Sequence, residues 1–235
     1  MGDIQFFQDT NVPVIAIDGP AGAGKGVICS YLAEYLGFHL LDSGAIYRAV
    51  ALGILQHGVT DPTDEFATGV AIDVVNNLTF APNGKAFVNG HCLGDQIRSE
   101  EISRFTPKVA RIPSLRLAVL QFQLSMRKGK GLVADGRDMC EIFISPNCYR
   151  LYITARPEVR ATRRMSDKRA NPHGKLVYED VLLAIKTRDD EDQNRRDGKL
   201  QIHEEAIILN TSNIGVKEVC RAALAIYIDL EMQAV

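Results

Sequence analysis

The residues best suited to phosphate chemistry lie in a glycine-rich turn that follows a short apolar run. Residues 14–17 predict a buried parallel strand, and a helical pattern starts at Lys25. The spacing Gly19-x-x-x-x-Gly24-Lys25 is that of a phosphate-binding loop. Glycines let successive backbone N–H groups face one anion, while the helix dipole and the lysine charge attract it. We therefore expect a nucleoside triphosphate to bind here, with its phosphates against Gly19, Pro20, Ala21, Gly22, Ala23, Gly24, Lys25, Gly26 and Val27.

A second candidate group follows another apolar run, residues 131–135. Asp135 ends this predicted strand, and Arg137 and Asp138 come directly after it. A carboxylate at the carboxyl edge of a parallel sheet faces the ligand crevice, where it can hold Mg²⁺ directly or through water. A polar turn closed by internal ion pairs is the alternative interpretation.

A third group, Ser43 with Arg48, follows the short predicted strand 38–41. Ser43 alone could be a helix N-cap, and Arg48 alone could be a surface cation. Together at the end of a strand in an α/β sheet, they suit a second anion site that faces the phosphate-binding loop.

Charged residues are dense between residues 188 and 196. Arg188, Asp192 and Arg195 are spaced i, i+4 and i+7, which places them on one face of a helix. Such a run is commonly a solvated, ion-paired face. The functional interpretation gives the two arginines to a phosphate and the carboxylate to a sugar hydroxyl. Arginines at 160–164 precede a turn and suit a lid over transferring phosphates, with a solvent-facing basic helix as the alternative.

The order of elements outside residues 61–127 predicts an α/β fold with a parallel sheet, because strands and helices alternate there. The predicted strands are 13–18, 38–41, 131–135, 150–153 and 206–209, and the predicted helices are 25–36, 44–56, 157–168, 177–194 and 216–232. Within 61–127, a turn at 82–84 predicts an antiparallel hairpin, followed by helices at 99–105 and 108–128. We therefore expect a core made of residues 12–60 and 128–235, with 61–127 as an insertion.

Composition argues against several classes of protein. The 235 residues carry a net charge of −2 and the pI is about 6.2, so no overall positive field recruits nucleic acid. The five cysteines are scattered without a CxxC pair, which suggests neither a disulfide framework nor a zinc site. Residues 1–12 lack the pattern of a signal peptide, and no apolar run of about 18 residues occurs. We expect a soluble cytoplasmic protein, and a monomer because no long apolar stripe is evident.

Four motifs together resemble those of bacterial cytidylate kinases, which are nucleoside monophosphate kinases. They are Gly19-Pro20-Ala21-Gly22-Ala23-Gly24-Lys25-Gly26, Leu40-Leu41-Asp42-Ser43-Gly44-Ala45-Ile46-Tyr47-Arg48, Ala134-Asp135-Gly136-Arg137-Asp138-Met139 and Lys186-Thr187-Arg188-Asp189-Asp190-Glu191-Asp192-Gln193-Asn194-Arg195. The resemblance covers nearly the whole chain, and the second and third motifs are far more specific than the phosphate-binding loop. It implies Mg²⁺-dependent transfer of the γ-phosphoryl group of ATP to CMP or dCMP. It also implies an adenylate-kinase-like P-loop fold of five parallel strands with helices on both faces, a monophosphate-binding insertion at 61–127 and a short lid at about 164–178.

The same resemblance assigns roles to individual residues. Ser43, Arg116 and Asp138 would read the cytosine edge, since the carboxylate and the hydroxyl can accept from its amino group and the guanidinium can donate to its carbonyl and ring nitrogen. Arg48, Arg137 and Arg195 would bind the monophosphate, and Arg188 and Asp192 would approach the sugar. Catalysis would rest on Lys25, Asp135, Arg137 and Arg163, with Asp135 as the metal site and Arg163 serving the transferred phosphoryl group.

Three positions depart from the family pattern. Val27 stands where the family usually has a hydroxyl residue, so metal coordination would run through water or through Asp135. Pro107 stands where a serine near the sugar is usual, which leaves open the preference between ribose and deoxyribose. Asn210 replaces an aspartate that often follows the last core strand.

Two alternatives remain at this point. One is another small-molecule P-loop kinase that acts on UMP, on AMP or on an acceptor that is not a nucleotide. The other, from a different class, is a regulatory NTP-binding protein without an acceptor. A nucleic-acid-binding ATPase is disfavoured by the slightly negative charge and by the lack of a basic–aromatic stripe.

Overall fold

The computed structural model describes residues 10–81, 84–167 and 174–233. Its strands are β1 (Val14–Asp18), β2 (His39–Asp42), β3 (Leu78–Phe80), β4 (Ala86–Val88), β5 (His91–Cys92), β6 (Leu132–Asp135), β7 (Cys148–Thr154) and β8 (Ile207–Asn210). Its helices are α1 (Lys25–Leu36), α2 (Ser43–Gln56), α3 (Asp64–Asn77), α4 (Glu100–Val109), α5 (Pro113–Ser125), α6 (Met139–Ile142), α7 (Pro157–Ser166), α8 (Tyr178–Gln193) and α9 (Val216–Gln233). No helix in these three ranges is long and apolar enough to cross a membrane.

Five parallel strands form the main sheet in the order β2-β6-β1-β7-β8, which confirms the predicted fold class. The register pairs Asp135 at the end of β6 with both Asp42 of β2 and Ile17 of β1. Because the strands are parallel, their carboxyl ends meet at one edge of the sheet. The turns that follow β1, β2 and β6 therefore lie side by side, and these turns carry the three candidate groups.

The sheet is covered on both faces, as the uninterrupted burial of β1 requires. Val14 and Ala16 of β1 belong to one buried cluster with residues of α2, α3 and α5. Ile15 and Ile17 point to the opposite face, where they pack with residues of α1 and α9. This alternation follows from the two-residue period of a strand, and it places a layer of helices against each face of the sheet.

The 61–127 block contains a second, antiparallel sheet, β3-β4-β5, and the expected hairpin pairs Thr79 with Phe87. The turn residues 82 and 83 lie outside the described residues, as do residues 168–173 of the predicted 167–174 turn. Side chains of α3 and α5 share the buried cluster of α2. The division into a core, a 61–127 insertion and a lid at 164–178 stays a prediction.

The sequence analysis misplaced helices in this block. Helix α3 was not predicted, although Thr63 caps it by accepting a hydrogen bond from the backbone N–H of Phe66. The predicted break between 105 and 108 is also wrong: α4 continues through Pro107 to residue 109, and α5 starts at Pro113. Proline costs nothing at the first helical position, because its missing N–H would have no partner in the helix.

Candidate active site

The phosphate-binding loop joins β1 to α1 and presses against the neighbouring strand β7. Gly19 has a φ of +145°, and a Cβ there would overlap the backbone oxygen of Ile153. Only glycine fits both this conformation and this contact. The first turn of α1 has no intrahelical partner for its N–H groups, so the loop presents amide donors to an anion.

Helix α7 holds the loop from the outside. Arg160 donates to the carbonyl oxygen of Ala21 at 3.1 Å, and Arg163 donates to that of Ala23 at 3.3 Å. The hydroxyl of Thr211, after β8, also donates to the carbonyl oxygen of Ala23 at 2.9 Å. These bonds occupy the carbonyl side of the loop, which leaves its amide side for a ligand.

Arg163 therefore lies behind the phosphate-binding loop in this conformation. Besides Ala23, its guanidinium donates to the carbonyl oxygen of Thr211 at 2.7 Å and to the hydroxyl of Thr211 at 3.0 Å. The structure connects Arg163 to the phosphate-binding loop. Its predicted action on the transferred phosphoryl group stays a prediction.

Lys25 is buried against the backbone of the phosphate-binding loop. Its Nζ donates to the carbonyl oxygens of Gly19 at 2.8 Å and Pro20 at 3.1 Å, and it lies 3.8 Å from Oδ1 of Asp135. Burial, together with the charge of Arg137, lowers the pKa of Lys25 to about 8. Burial also raises the pKa of Asp135, against the opposing pull of Lys25. Burial therefore disfavours the charged form of both groups. A phosphate bound near Lys25, or a cation bound near Asp135, would offset this cost.

The metal prediction fits the neighbourhood of Asp135. A Cβ on Gly26 would lie 3.7 Å from Oδ2 of Asp135, whereas the side chain of Val27 is 53% exposed. Position 26 therefore lies next to the carboxylate, and Val27 offers no hydroxyl to a metal. No group of three or more His, Cys, Asp or Glu side chains suited to a metal occurs in the described parts of the chain. A cation at Asp135 would take its other ligands from phosphate oxygens and water, which is how Mg²⁺ is usually held.

Asp18, which the sequence analysis did not single out, ties the phosphate-binding loop to the segment after β6. Its two carboxylate oxygens accept the backbone N–H groups of Met139 and Cys140, each at 2.9 Å. Burial raises the pKa of Asp18 to about 6, although these two hydrogen bonds act in the opposite direction. The contact connects the end of β1 to the turn that carries Arg137 and Asp138.

A cluster of arginines surrounds the fully buried carboxylate of Asp192 on α8. Arg137 donates to Oδ2 of Asp192 at 2.9 Å, and Arg195 forms an ion pair with Oδ1. Burial opposes ionisation of Asp192, but Arg137 and Arg195 outweigh it and lower the pKa of that carboxyl. On helix α2, Arg48 lies 3.4 Å from the carboxylate of Asp42.

Two buried donors in this cluster have no hydrogen-bond partner among the described residues: Nε of Arg48 and Nε of Arg188. Burial lowers the pKa of Arg48, and it lowers the pKa of Arg188 to about 10, with the nearby Arg137 adding to the effect on Arg188. Such groups are costly unless an anion pairs with them. The arrangement therefore suits a phosphate group.

Arg98 is a further arginine near this cluster that the sequence analysis missed. Its guanidinium lies 3.8 Å from the carboxylate of Asp42, and no motif around position 98 indicated this contact.

Arg116 and Asp138 form an ion pair with each other. Nη2 of Arg116 lies 2.7 Å from Oδ2 of Asp138, and the guanidinium carbon is 5.9 Å from the ring centre of Tyr47. Gly198 lies directly on this pair: a Cβ there would overlap both Nη2 of Arg116 and Oδ2 of Asp138. Gly198 also has a φ of +64°, which strains any other residue, and a Cβ would require the ends of both side chains to shift. The sequence analysis did not identify this position.

Ser43 is the first residue of α2 and not its cap, so the N-cap interpretation is wrong. Asp42 caps the helix, since its Oδ1 accepts the backbone N–H of Ala45 at 2.8 Å. The Ser43 hydroxyl instead accepts a hydrogen bond from Nε2 of Gln123 on α5 at 2.9 Å. Ser43 thus remains available to a ligand at the carboxyl end of β2.

The structure shows the surroundings of two of the departures from the family pattern. Pro107 is half-buried inside α4, where Thr106 donates its hydroxyl to the carbonyl oxygen of Ile102 at 2.6 Å. Asn210 ends β8 and accepts the backbone N–H of Ser212 with its side-chain oxygen at 3.0 Å. Asn210 therefore shapes the turn that also contains Thr211.

The chain was compared with known proteins. The family model described as cytidylate kinase matches residues 15–228. The chain is 36% identical over 229 residues to the cytidylate kinase of Photobacterium profundum, covering 96% of this chain and 99% of that protein. It is 42% identical over 216 residues to the cytidylate kinase of Shewanella frigidimarina, covering 90% and 93%.

The pKa of Lys25 provides a test of the anion site that needs no assumption about turnover. Because burial lowers this pKa to about 8, an anion bound in the loop should raise it, by about one unit or more. NMR titration of ¹³C-labelled lysine side chains, with Lys25→Arg to assign the signal, measures the pKa with and without tripolyphosphate. An unchanged pKa in saturating tripolyphosphate would contradict an anion site around Lys25.

Proposed function

The chain belongs to the cytidylate kinase family, and we propose that it transfers the γ-phosphoryl group of ATP to CMP and dCMP, forming CDP and dCDP. One observation carries the proposal beyond the family name. Two arrangements suited to phosphate lie near the same edge of the sheet. One is the loop around Lys25, and the other is the half-buried pair Arg48 and Arg188, whose buried Nε atoms lack partners among the described residues. A kinase that transfers a phosphoryl group between two phosphorylated substrates needs two such sites side by side.

The donor half of the proposal places the ATP phosphates in the loop from Gly19 to Val27. The amide groups at the start of α1 would face the phosphate oxygens. Lys25 would exchange its bonds to the carbonyl oxygens of Gly19 and Pro20 for bonds to phosphate. That exchange supplies a charged partner to an ammonium whose pKa burial now lowers to about 8.

The acceptor half places the CMP phosphate between α2 and α8. Arg48 and Arg188 would donate through the Nε atoms that have no partner in the described ranges. Arg137 and Arg195 would join them from Asp192, which already aligns both. Planar guanidinium groups match phosphate oxygens in pairs, which lysines do not. Arg188 and Asp192 would also lie within reach of the sugar.

Base selection would come from Asp138, Arg116 and Ser43. Cytosine presents an amino donor where uracil presents a carbonyl oxygen. The Asp138 carboxylate only accepts hydrogen bonds when ionised, so it favours cytosine and repels uracil. To meet the base, Asp138 must share or exchange its 2.7 Å contact with Arg116.

The chemistry rests on position and charge and involves no covalent side chain. Mg²⁺, held at Asp135 directly or through water, would neutralise charge on the phosphates. Lys25 and Arg137, whose charges both act on Asp135, would stabilise the charge that spreads over the phosphoryl oxygens. Closure of the predicted lid at 164–178 would exclude water, the competing acceptor.

ATP consumption against a panel of acceptors tests this function. Purified protein with Mg²⁺ is assayed with CMP, dCMP, UMP, AMP, GMP and no acceptor, beside Lys25→Ala as the inactive reference. We expect strong stimulation by CMP and dCMP alone, and a loss on the order of 100-fold or more in Lys25→Ala. Stimulation by another monophosphate, or by none, would contradict the proposal. The ratio of CMP to dCMP turnover measures the effect of proline at position 107.

Removing the Asp138 carboxylate should damage acceptor binding selectively. Asp138→Ala deletes a charged acceptor and leaves Arg116 without its carboxylate partner. We expect the KM for CMP to rise roughly 10- to 100-fold, while the KM for ATP stays near the wild-type value. Steady-state kinetics with each substrate varied in turn measures both constants, and an equal loss for the two substrates would refute the base-reading role.

The close contact of Gly198 gives a second test of the same region. Gly198→Ala should displace Arg116 and Asp138, in addition to the strain of about 1–2 kcal/mol that a Cβ meets in a left-handed conformation. Gly58→Ala is the matched control, because Gly58 has a φ of +72° and a Cβ there meets nothing within 4 Å.

Both variants should lose similar stability from backbone strain, measured by chemical denaturation. Only Gly198→Ala should raise the KM for CMP, by about tenfold or more. Equal CMP kinetics in the two variants would show that Gly198 does not shape the acceptor site.

A further inference from the structure

Gln123 is a buried polar residue that the proposed chemistry leaves without a role. Its side chain is 1% exposed, and it lies on α5 among residues of the apolar cluster that contains Val119 and Leu124. A buried amide without hydrogen bonds is costly, so an apolar side chain would be the simpler choice at this position. The one side-chain hydrogen bond of Gln123 within the described ranges goes to the hydroxyl of Ser43, 80 positions away in sequence.

Gln123 shares a helix face with a residue of the base-reading group. Arg116 and Gln123 are seven residues apart on α5, which is close to two turns and about 10 Å along the helix axis. From this face Arg116 contacts Asp138, and Gln123 contacts Ser43. Asp138 and Ser43 in turn follow β6 and β2, which are paired in the sheet. One face of α5 therefore makes side-chain contacts with both strand ends that are proposed to meet the base.

The contact constrains the Ser43 hydroxyl. A serine hydroxyl has one donor and two acceptor sites. The Gln123 amide occupies one of them and holds the oxygen in one direction. Without this bond, the side chain of Ser43 could rotate among its staggered positions. An oxygen that is held in place can stay where it accepts from the cytosine amino group, which uracil lacks. A side chain that rotates away loses this bond and with it the preference for cytosine.

We propose that Gln123 is a positioning residue for base recognition, which acts through Ser43 by holding its hydroxyl oxygen in place. The inference rests on the proposed function, because it concerns the same acceptor site. It predicts that Gln123 influences the choice between CMP and UMP while leaving ATP binding unchanged. A purely structural role would instead lower stability and affect both substrates alike.

A double-mutant cycle between the two residues tests the inference. The variants are Gln123→Met, Ser43→Ala and the double variant, with Gln121→Met as a control, because Gln121 is exposed on the same helix. The measured quantity is the ratio of kcat/KM for CMP to that for UMP. We expect each single variant to lower this ratio about five- to tenfold, with no change in the KM for ATP.

The decisive comparison is the effect of Gln123→Met in the Ser43→Ala background. If Gln123 acts through Ser43, the second substitution should change the ratio by less than about twofold. Two effects that multiply would overturn the inference, as would a fall in the ratio for Gln121→Met. Gln123→Glu keeps a side chain that can donate to the Ser43 oxygen as the amide does, because burial at this position favours the protonated carboxylic acid. This variant should retain the wild-type ratio within about threefold.

The design separates this inference from the function on which it rests. If the wild-type protein does not turn over CMP, the proposed function and the inference fall together. If it turns over CMP with high selectivity but the cycle is additive, only the inference about Gln123 fails. Should Gln123→Met not fold, the comparison of Gln123→Glu with Ser43→Ala decides: equal losses of selectivity in these two would overturn the inference, and retention by Gln123→Glu alone would support it.

Discussion

The proposed acceptor half of the site depends on one buried carboxylate, that of Asp192. Like charges repel strongly in a cleft with little water, and Asp192 is what allows Arg137 and Arg195 to converge there. Its single negative charge does not compensate the whole cluster. Arg48 and Arg188 keep buried Nε atoms without partners in the part of the chain that the structure describes, and burial lowers the pKa of each. A doubly charged phosphate would complete the neutralisation, which is why we propose that the monophosphate binds there.

The rest of the fold holds this cluster beside the phosphate-binding loop. Parallel pairing of β2, β6 and β1 brings three strand ends to one edge of the sheet. Asp18 connects the loop to the turn after β6 through two backbone hydrogen bonds, and Arg160 supports the loop from α7. Through Arg116 and Gln123, helix α5 contacts the two strand ends that are proposed to read the base. The two proposed substrate sites are thus built on shared elements, so a change in one affects the position of the other.

Local spacing predicted those features that depend on residues close in sequence. The loop from Gly19 to Lys25 has a spacing motif, and the arginine face of α8 has a helical period. The parallel sheet was predicted from the alternation of short apolar runs and helical patterns. The contacts of Gly198 and Gln123 could not be predicted in this way, because their partners lie far away in the chain. Helix α3 was missed because its capping residue, Thr63, stands in a stretch without a chemical motif. The base-reading roles came from the family resemblance and not from the spacing of the residues.

The most direct test of the account is a crystal structure of the protein with CMP bound. We expect phosphate oxygens within about 3.2 Å of Nε of both Arg48 and Arg188, and the cytosine amino group against the carboxylate of Asp138. A phosphate bound elsewhere, with both Nε atoms still unpartnered, would contradict the central claim that these two arginines form the acceptor phosphate site.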